Sequence, residues 1–383
     1  MIDTIALTIP KESFSISDHN KFNPSTSNLF NPNFYRLGSR SYFFCVQNPT
    51  KIEIETGNYK PRLTITKRMK NGKFIITLKI EFSIPKLLFG NNFEEVEETD
   101  YKAIILLLHD KLTDMGVSIS YSNIDEAKVS AAHFSKNISL TDFTTPYHIL
   151  KELSKIDLNQ KTDINKTDYR NEGHCLKFHS NNFEIAFYDK LKDLAKAKIS
   201  EKRAIEKENS IQFDLFRKNR KPLEVIRMEV RLNNRTKLKR TLKEIDVKND
   251  LTLHSIFDKS LSQKILLYYY SMIEKSSSLL AFKPDNTSDF IAELKILNPK
   301  VKIRKLLQIL GFKIVIEEMG VRDFREFLKI FDIDNWYRLK KEYSTLIFPT
   351  HKSDKLSIIK NALIDFQPIK LSKSLNINLQ YPN

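Results

Sequence analysis

Two cysteines, Cys45 and Cys175, are all that the 383 residues contain. So few thiols supply neither a disulfide framework nor a cysteine zinc site, and they suit a reducing compartment. Long apolar runs are missing as well. The longest, Ala103 to Leu108, has six residues, far short of the roughly 20 that cross a bilayer as a helix. The opening MIDTIALTIPK lacks the basic start and continuous apolar stretch of a secretory signal. These absences predict a cytoplasmic chain with no membrane partner. Glycine is scarce, at 8 residues, and with heavy Lys, Asn and Ile usage this reads as coding from an AT-rich genome. No GxxxxGK[ST] phosphate loop, GxGxxG fingerprint, GxSxG elbow or HxH metal motif occurs. ATPase, dinucleotide enzyme and serine hydrolase all lose ground.

Positive charge is what the chain has in excess. Lys and Arg total 63 against 47 acids, a net +16. Each cation placed near a phosphate releases condensed counterions, so the imbalance favours a polyanionic partner. With 41% apolar and 11% aromatic residues, the chain can also bury a core. Its length suits one large domain, or one domain plus a smaller one.

Residues 1 to about 90 read as strands. Tyr42–Val46, Lys51–Thr56, Leu63–Lys67 and Phe74–Phe82 are rich in Ile, Phe and Thr and are split by turn signals such as Asn71-Gly72. Pro85 and Gly90 break the chain before a helix from about Thr99 to Met115, where Ile104, Leu107, Leu108 and Leu112 recur at helical spacing. A strand over Lys128–Phe134 and a helix over Pro146–Leu153 follow. Ser154 to Gly173 is polar and aperiodic, a loop pattern. Cys175–Phe178 and Phe183–Lys190 form a hairpin around Ser180-Asn181-Asn182, and Leu191 to Asn209 reads as a charged helix. Glu224–Leu232 is a strand and Lys259–Leu280 a long helix. The pattern is α+β, antiparallel strands with inserted helices. It divides into residues 1–290 and a small, mostly helical unit over 291–383 that holds the only tryptophan, Trp336.

Three strands carry polar residues where an apolar face is expected. Alternation along Phe183–Lys190 puts Phe183, Ile185 and Phe187 on one side, and Glu184, Tyr188 and Lys190 on the other. A phenol with an ammonium two residues along suits nucleophilic attack on phosphorus, because the cation offsets charge during displacement. A solvated strand face is the plain alternative. Along Ile226–Leu232, Arg227, Glu229 and Arg231 share one side. Glu229 then suits an oxygen ligand for Mg²⁺ or Mn²⁺ and the arginines suit phosphate, although a salt-bridge ladder has the same pattern. The basic stretch that follows, with Arg235, Lys237, Lys239 and Arg240, is a solvated segment or a grip on a DNA backbone. In Ala131–Asn137, His133 is a structural histidine or a metal ligand, and imidazole favours Mn²⁺ over Mg²⁺. His174 and His179, flanking the first hairpin strand, are substitutes for it.

The order of these pieces resembles the gene II/X replication-initiator family of filamentous phages and their plasmid relatives. The resemblance covers most of residues 1–240. It rests on the MIDTIALTIP start, the segment Ser83-Ile84-Pro85-Lys86-Leu87-Leu88-Phe89-Gly90-Asn91-Asn92, the His133 strand, Phe187-Tyr188-Asp189-Lys190 and Arg227-Met228-Glu229-Val230-Arg231. Residues beyond about 240 resemble the family only loosely. The resemblance implies an antiparallel-sheet nuclease core related to HUH and rolling-circle Rep folds. It implies nicking of one strand at a replication origin through a 5′-phosphotyrosine, followed by resealing. Tyr188 takes the place of the nucleophile, assisted by Lys190, and Glu229 that of an acidic site residue. One departure stands out: Ala131 sits where an acid is expected, which transfers metal ligation to His133. Arg227, Arg231, Lys136 and Lys86 join the basic stretch as DNA contacts. The implied partners are single-stranded DNA, duplex origin DNA, and a host helicase and polymerase in a bacterial cytoplasm.

A DNA-binding protein without chemistry, which bends or melts an origin, accounts for the charge and leaves the Tyr188 and Glu229 faces as coincidence. An RNA-binding or membrane-surface role ranks below both, since neither an RNP-like aromatic motif nor a basic amphipathic helix occurs. Tyr268, Tyr269 and Tyr270 are a competing nucleophile cluster, because HUH nucleases carry theirs on a helix. Their apolar setting favours packing.

Overall fold

A computed structural model of the chain describes residues 1–30, 42–50, 53, 58–140, 144–156, 158, 168–170, 174–192, 224–277, 287–331, 333–348 and 354–370. Nine strands form one sheet: β1 (Ile2–Pro10), β2 (Tyr42–Gln47), β3 (Arg62–Lys70), β4 (Lys73–Ser83), β5 (Lys128–Leu140), β6 (Asp168–Arg170), β7 (Cys175–His179), β8 (Phe183–Asp189) and β9 (Glu224–Leu232). Their order across the sheet is β2-β3-β4-β1-β5-β9-β8-β7-β6, and every neighbouring pair is antiparallel. The principal helices are α1 (Ile84–Phe89), α2 (Tyr101–Asp114), α3 (Pro146–Ser154), α4 (Arg235–Glu244), α5 (Lys259–Ser277), α6 (Thr287–Leu297), α7 (Ile303–Met319), α8 (Val321–Phe331), α9 (Ile333–Ser344) and α10 (Asp354–Asp365). The molecule is therefore α+β around a large antiparallel sheet.

Alternation explains the strands. Ile5, Leu7 and Ile9 of β1, Leu78, Ile80 and Phe82 of β4, and Ile226, Met228 and Val230 of β9 all enter one core. Helices cover it with Ile104 and Leu108 of α2, Leu238 and Leu242 of α4, and Ile265, Leu266 and Tyr269 of α5. The β3–β4 hairpin turns at Asn71 and Gly72, with φ of 51° and 73°. Two successive left-handed residues twist the turn with its strands, which is why Asn-Gly marks it in the sequence.

Several elements differ from the sequence reading. Strand β5 runs on past Phe134 because Ser135–Leu140 pair with Glu224–Glu229 of β9. The basic stretch after β9 is a helix: the Asn234 side chain accepts from the Lys237 backbone N–H at 2.8 Å, and Leu238, Thr241 and Leu242 make a buried stripe. Within the polar Ser154–Gly173 stretch, residues 168–170 pair as β6 with β7. Apart from Glu53, which is helical, the expected strand Lys51–Thr56 lies outside the described residues, as does the charged helix beyond residue 192.

The C-terminal helical unit also has different limits. Ile309, Ile316, Phe324, Trp336 and Tyr343 of α7–α9 form a core of their own, and Phe290, Leu294, Leu306 and Leu310 join α6 to α7. Helix α10 instead returns to the main core through Ile359 and Leu363. Gln263 of α5 donates to the carbonyls of Leu363 and Ile364, and Tyr270 to that of Leu356. The expected unit over 291–383 thus gives up this helix to the sheet domain. Among the described residues, no helix is long and apolar enough to cross a membrane.

Candidate functional site

Cross-strand register gathers the polar residues. On β8 and β9, Tyr188 lies opposite Arg227, Ala186 opposite Glu229, and Glu184 opposite Arg231. Across the other edge of β9, Asn137 of β5 lies opposite Arg227, Ser135 opposite Glu229 and His133 opposite Arg231. Residues facing each other across an antiparallel pair point to the same side, so all nine belong to the face away from the apolar core. The small Ala186 leaves room beside Glu229, and the Tyr188 phenol reaches over diagonally. Its hydroxyl donates to Glu229 Oε2 at 3.0 Å.

Glu229 is 3% exposed and heavily engaged. Arg231 donates from Nε to Oε1 at 2.9 Å and from Nη2 to Oε2 at 3.2 Å. His133 Nδ1 stands 3.5 Å from Oε1. Burial alone would push this carboxyl up. The Arg231 guanidinium, the His133 hydrogen bond and the nearby Arg227 outweigh it and hold the group well below the usual carboxylate range. Arg231 also reaches Glu184 at 2.8 Å, and Glu184 pairs with Lys177 at 3.1 Å. The side chains of Arg231 and His133 keep exposures of 29% and 25%, so they are the members of this group open to an incoming ligand.

A second layer sits beneath. Arg227, 2% exposed, donates from Nη2 to Ser135 Oγ at 2.8 Å and pairs with Asp3 at 2.9 Å. From Nη1 it donates to the Asn92 carbonyl at 2.8 Å and to Asn137 Oδ1 at 3.4 Å. Burial opposes its charge, and Asp3, with the other acids nearby, more than restores it. Lys190 is buried at the end of β8. Its Nζ donates to Asn92 Oδ1 at 3.0 Å and lies 5.8 Å from the centre of the Tyr188 ring. Asn92, from the segment after α1, therefore ties Arg227 to Lys190. Sequence reasoning assigned no role to Asn92, Asp3, Ser135 or Asn137. Asp3 and Asn92 did lie in two of the quoted segments, MIDTIALTIP and Ser83–Asn92, so the signal was present without a register to interpret it.

No family model, curated protein or solved structure matches the chain.

The functional reading rests on the site itself. Tyr188, Lys190, Arg227, Glu229, Arg231 and His133 come together. The remaining candidates do not join them. Lys136 points to the opposite side of β5, opposite Met228, where it is 4% exposed and bonded to Glu95 and the Gln367 carbonyl. The expectation that it grips DNA is corrected: strand alternation sends it into the core. Arg235 binds the Val129 and Asp250 carbonyls, and Lys237 lies over the Phe183 and Tyr269 rings at 4.6 and 5.5 Å. Helix α4 thus packs on the apolar side of the sheet, leaving Lys239 and Arg240 exposed there. Lys86 lies half-buried on α1. His174 stands beside Asp189 and Lys192, and His179 lies opposite Glu184. In the tyrosine cluster, Tyr269 bonds to Thr241 and Tyr268 to Glu244, and burial pushes Tyr268 up to about 12. Tyr269 and Tyr270 are buried in the core, and their phenols are also raised by burial.

The donor set does not fit a divalent ion. Magnesium and manganese take several oxygen ligands, and here both oxygens of Glu229 are already clasped by a guanidinium. Glu184 and Asp3 are likewise held by Arg231 and Arg227. Among the described residues, no group of three His, Cys, Asp or Glu side chains is placed to hold a metal.

Proposed function

We propose that the chain breaks and rejoins single DNA strands through Tyr188, as an initiator of rolling-circle replication on an antiparallel-sheet core of the HUH and Rep kind. The observation that carries this reading is the Tyr188 hydroxyl held at 3.0 Å on Glu229, on a face where Arg231 is open to a phosphate. An oriented phenol among fixed cations is what attack on a phosphodiester needs: the nucleophile is aimed, and charge developing on phosphorus meets donors already in place. Tyr188 forms the 5′-phosphotyrosine and frees a 3′-OH that a polymerase extends. The bond energy is kept in the protein–DNA link and is reused on resealing, so no ATP is needed. The +16 charge supplies general affinity for DNA.

The second reading, an origin-binding protein without chemistry, is favoured by one observation: the run Lys177–Glu184–Arg231–Glu229 is a closed ladder of ion pairs. Incubating the full chain with a labelled single-stranded DNA library, followed by denaturing gels, separates the two. The expected result is a covalent protein–DNA band whose attachment maps to Tyr188. A Tyr188→Phe protein that still forms the band would remove the assignment. Salt-sensitive DNA binding without any band would move the function to the second reading.

A further inference from the structure

We infer that strand exchange at Tyr188 proceeds without a divalent metal, positive charge at the phosphate being supplied by the protein's own Arg231. This rests on the reading of Tyr188 as a nucleophile and specifies what surrounds the phosphate.

Both carboxylate oxygens of Glu229 are occupied. Oε1 accepts from Arg231 Nε and faces His133 Nδ1; Oε2 accepts from the Tyr188 hydroxyl and Arg231 Nη2. A metal could bind only by displacing the guanidinium, which would leave a charge unpaired in a site where Glu229 is almost fully enclosed. No second free carboxylate compensates, because Glu184 and Asp3 are each held by an arginine. Ala131 and Ala186 stand on this face where further acids would complete an oxygen cage, and they offer no donor.

The same groups suit phosphoryl transfer. The Nε–Nη2 fork of Arg231 already holds Glu229, but a guanidinium has five N–H donors, and Arg231, the arginine of the pair with exposed surface, keeps Nη hydrogens beyond those given to Glu229 and Glu184. In the step itself, Tyr188 Oη forms the new P–O bond while the bond from phosphorus to the 3′ oxygen breaks. The 3′ oxygen leaves with the electron pair and takes a proton from water. The phenolic proton passes to water as the new bond forms. Resealing runs the same step backwards. Protons balance, and no co-reactant is consumed. Glu229 acts here as a positioning residue that aims both Oη and the Arg231 fork.

The test uses the full chain and labelled single-stranded DNA, comparing adduct formation in EDTA with that in Mn²⁺ or Mg²⁺. The expected result is the Tyr188 adduct in EDTA, at a rate unchanged by either ion. Arg231→Ala is expected to slow it by about 10²-fold or more, the usual effect of removing one transition-state donor. An adduct that forms only with the ion overturns the inference and leaves Tyr188 as nucleophile. No adduct under any condition removes the nucleophile reading and this inference with it. A measurement independent of activity is the free Mn²⁺ electron paramagnetic resonance signal on titration with wild type and Glu229→Gln. Equal signals are expected, and a loss of signal with wild type alone would overturn the inference.

Discussion

Replacing Lys136 by Met tests the packing of the sheet most directly. Lys136 and Glu95 are 4% and 5% exposed and paired beneath the sheet. Glu95 also accepts from the backbone N–H groups of Asn137 at 2.6 Å and Ile369 at 3.1 Å. Removing the ammonium strands a carboxylate in the core, which costs about 3–5 kcal/mol, or a fall of roughly 6–10 °C in the melting temperature of the sheet domain. Glu95→Gln in the Lys136→Met background removes the stranded charge and should recover about half of that loss, so that in a double-mutant cycle the coupling exceeds the recovery, about 2 kcal/mol, by the cost of Glu95→Gln alone. The pH dependence gives a sign. In the wild type, burial pushes Glu95 up, but Lys136, the nearby N-terminal amino group of Met1 and the Asn137 backbone hydrogen bond outweigh it and the carboxyl lies below its ordinary value. Its contribution is therefore complete above the unfolded value of about 4.3 and lost as pH falls through the folded one. In Lys136→Met burial wins, the folded value rises above the unfolded one, and protonation relieves the penalty. The gap between variant and wild type should then narrow from pH 7 to about pH 5. Thermal melts across that range read it out. A single-variant cost below about 1 kcal/mol, or a gap that widens on acidification, would refute the reasoning. DNA binding supplies a cross-check: the salt slope should be unchanged, whereas loss of a phosphate contact would lower it by about 1.

Glu229→Gln should flatten the acid limb of the stability profile. Its carboxyl is held low by Arg231 against the upward push of burial, so the wild type loses that contribution as pH falls below about 4 and the variant has none to lose; denaturant melts from pH 3 to 7 check this. Gly72→Ala should destabilise the sheet domain by about 1 kcal/mol, since Gly72 adopts φ 73° with open space around it, which makes the cost one of backbone strain alone; a urea titration reading no change would contradict the left-handed turn.

Local rules made most strands and several helices legible. The hairpin turn at Asn71-Gly72, the helix over Pro146–Ser154 and the strand Glu224–Leu232 follow from residue type and period within a few positions. Strand β1 was less so, because its register against β4 and β5 shows only once those strands are placed. The basic stretch at Arg235 read as a solvated segment since its charges mask a three-residue apolar stripe that needs Tyr269 and the sheet beneath it. Lys136 is the clearest miss. One position along β5 separates the polar face from the core, and the strand ran further than its apolar residues indicated.

By itself the sequence determined the chain's excess of positive charge, the alternation that puts Tyr188, Arg227, Glu229 and Arg231 on polar strand faces, and the absence of glycine-rich phosphate loops. These are properties of residue type and spacing, which need no partner strand. Tertiary structure decided which polar residues meet across strands. Pairing β8 with β9 and β9 with β5 set Tyr188 on Glu229 and His133 beside it, and the tertiary fold brought Asp3 and Asn92 to Arg227 from more than a hundred residues away. A carboxylate in a sequence is equally able to hold a metal or an arginine. Arg231 was within reach of Glu229 two residues along the same strand, whereas the Tyr188 hydroxyl reached that carboxylate only through cross-strand register, which acts over long separations and at a resolution of one residue.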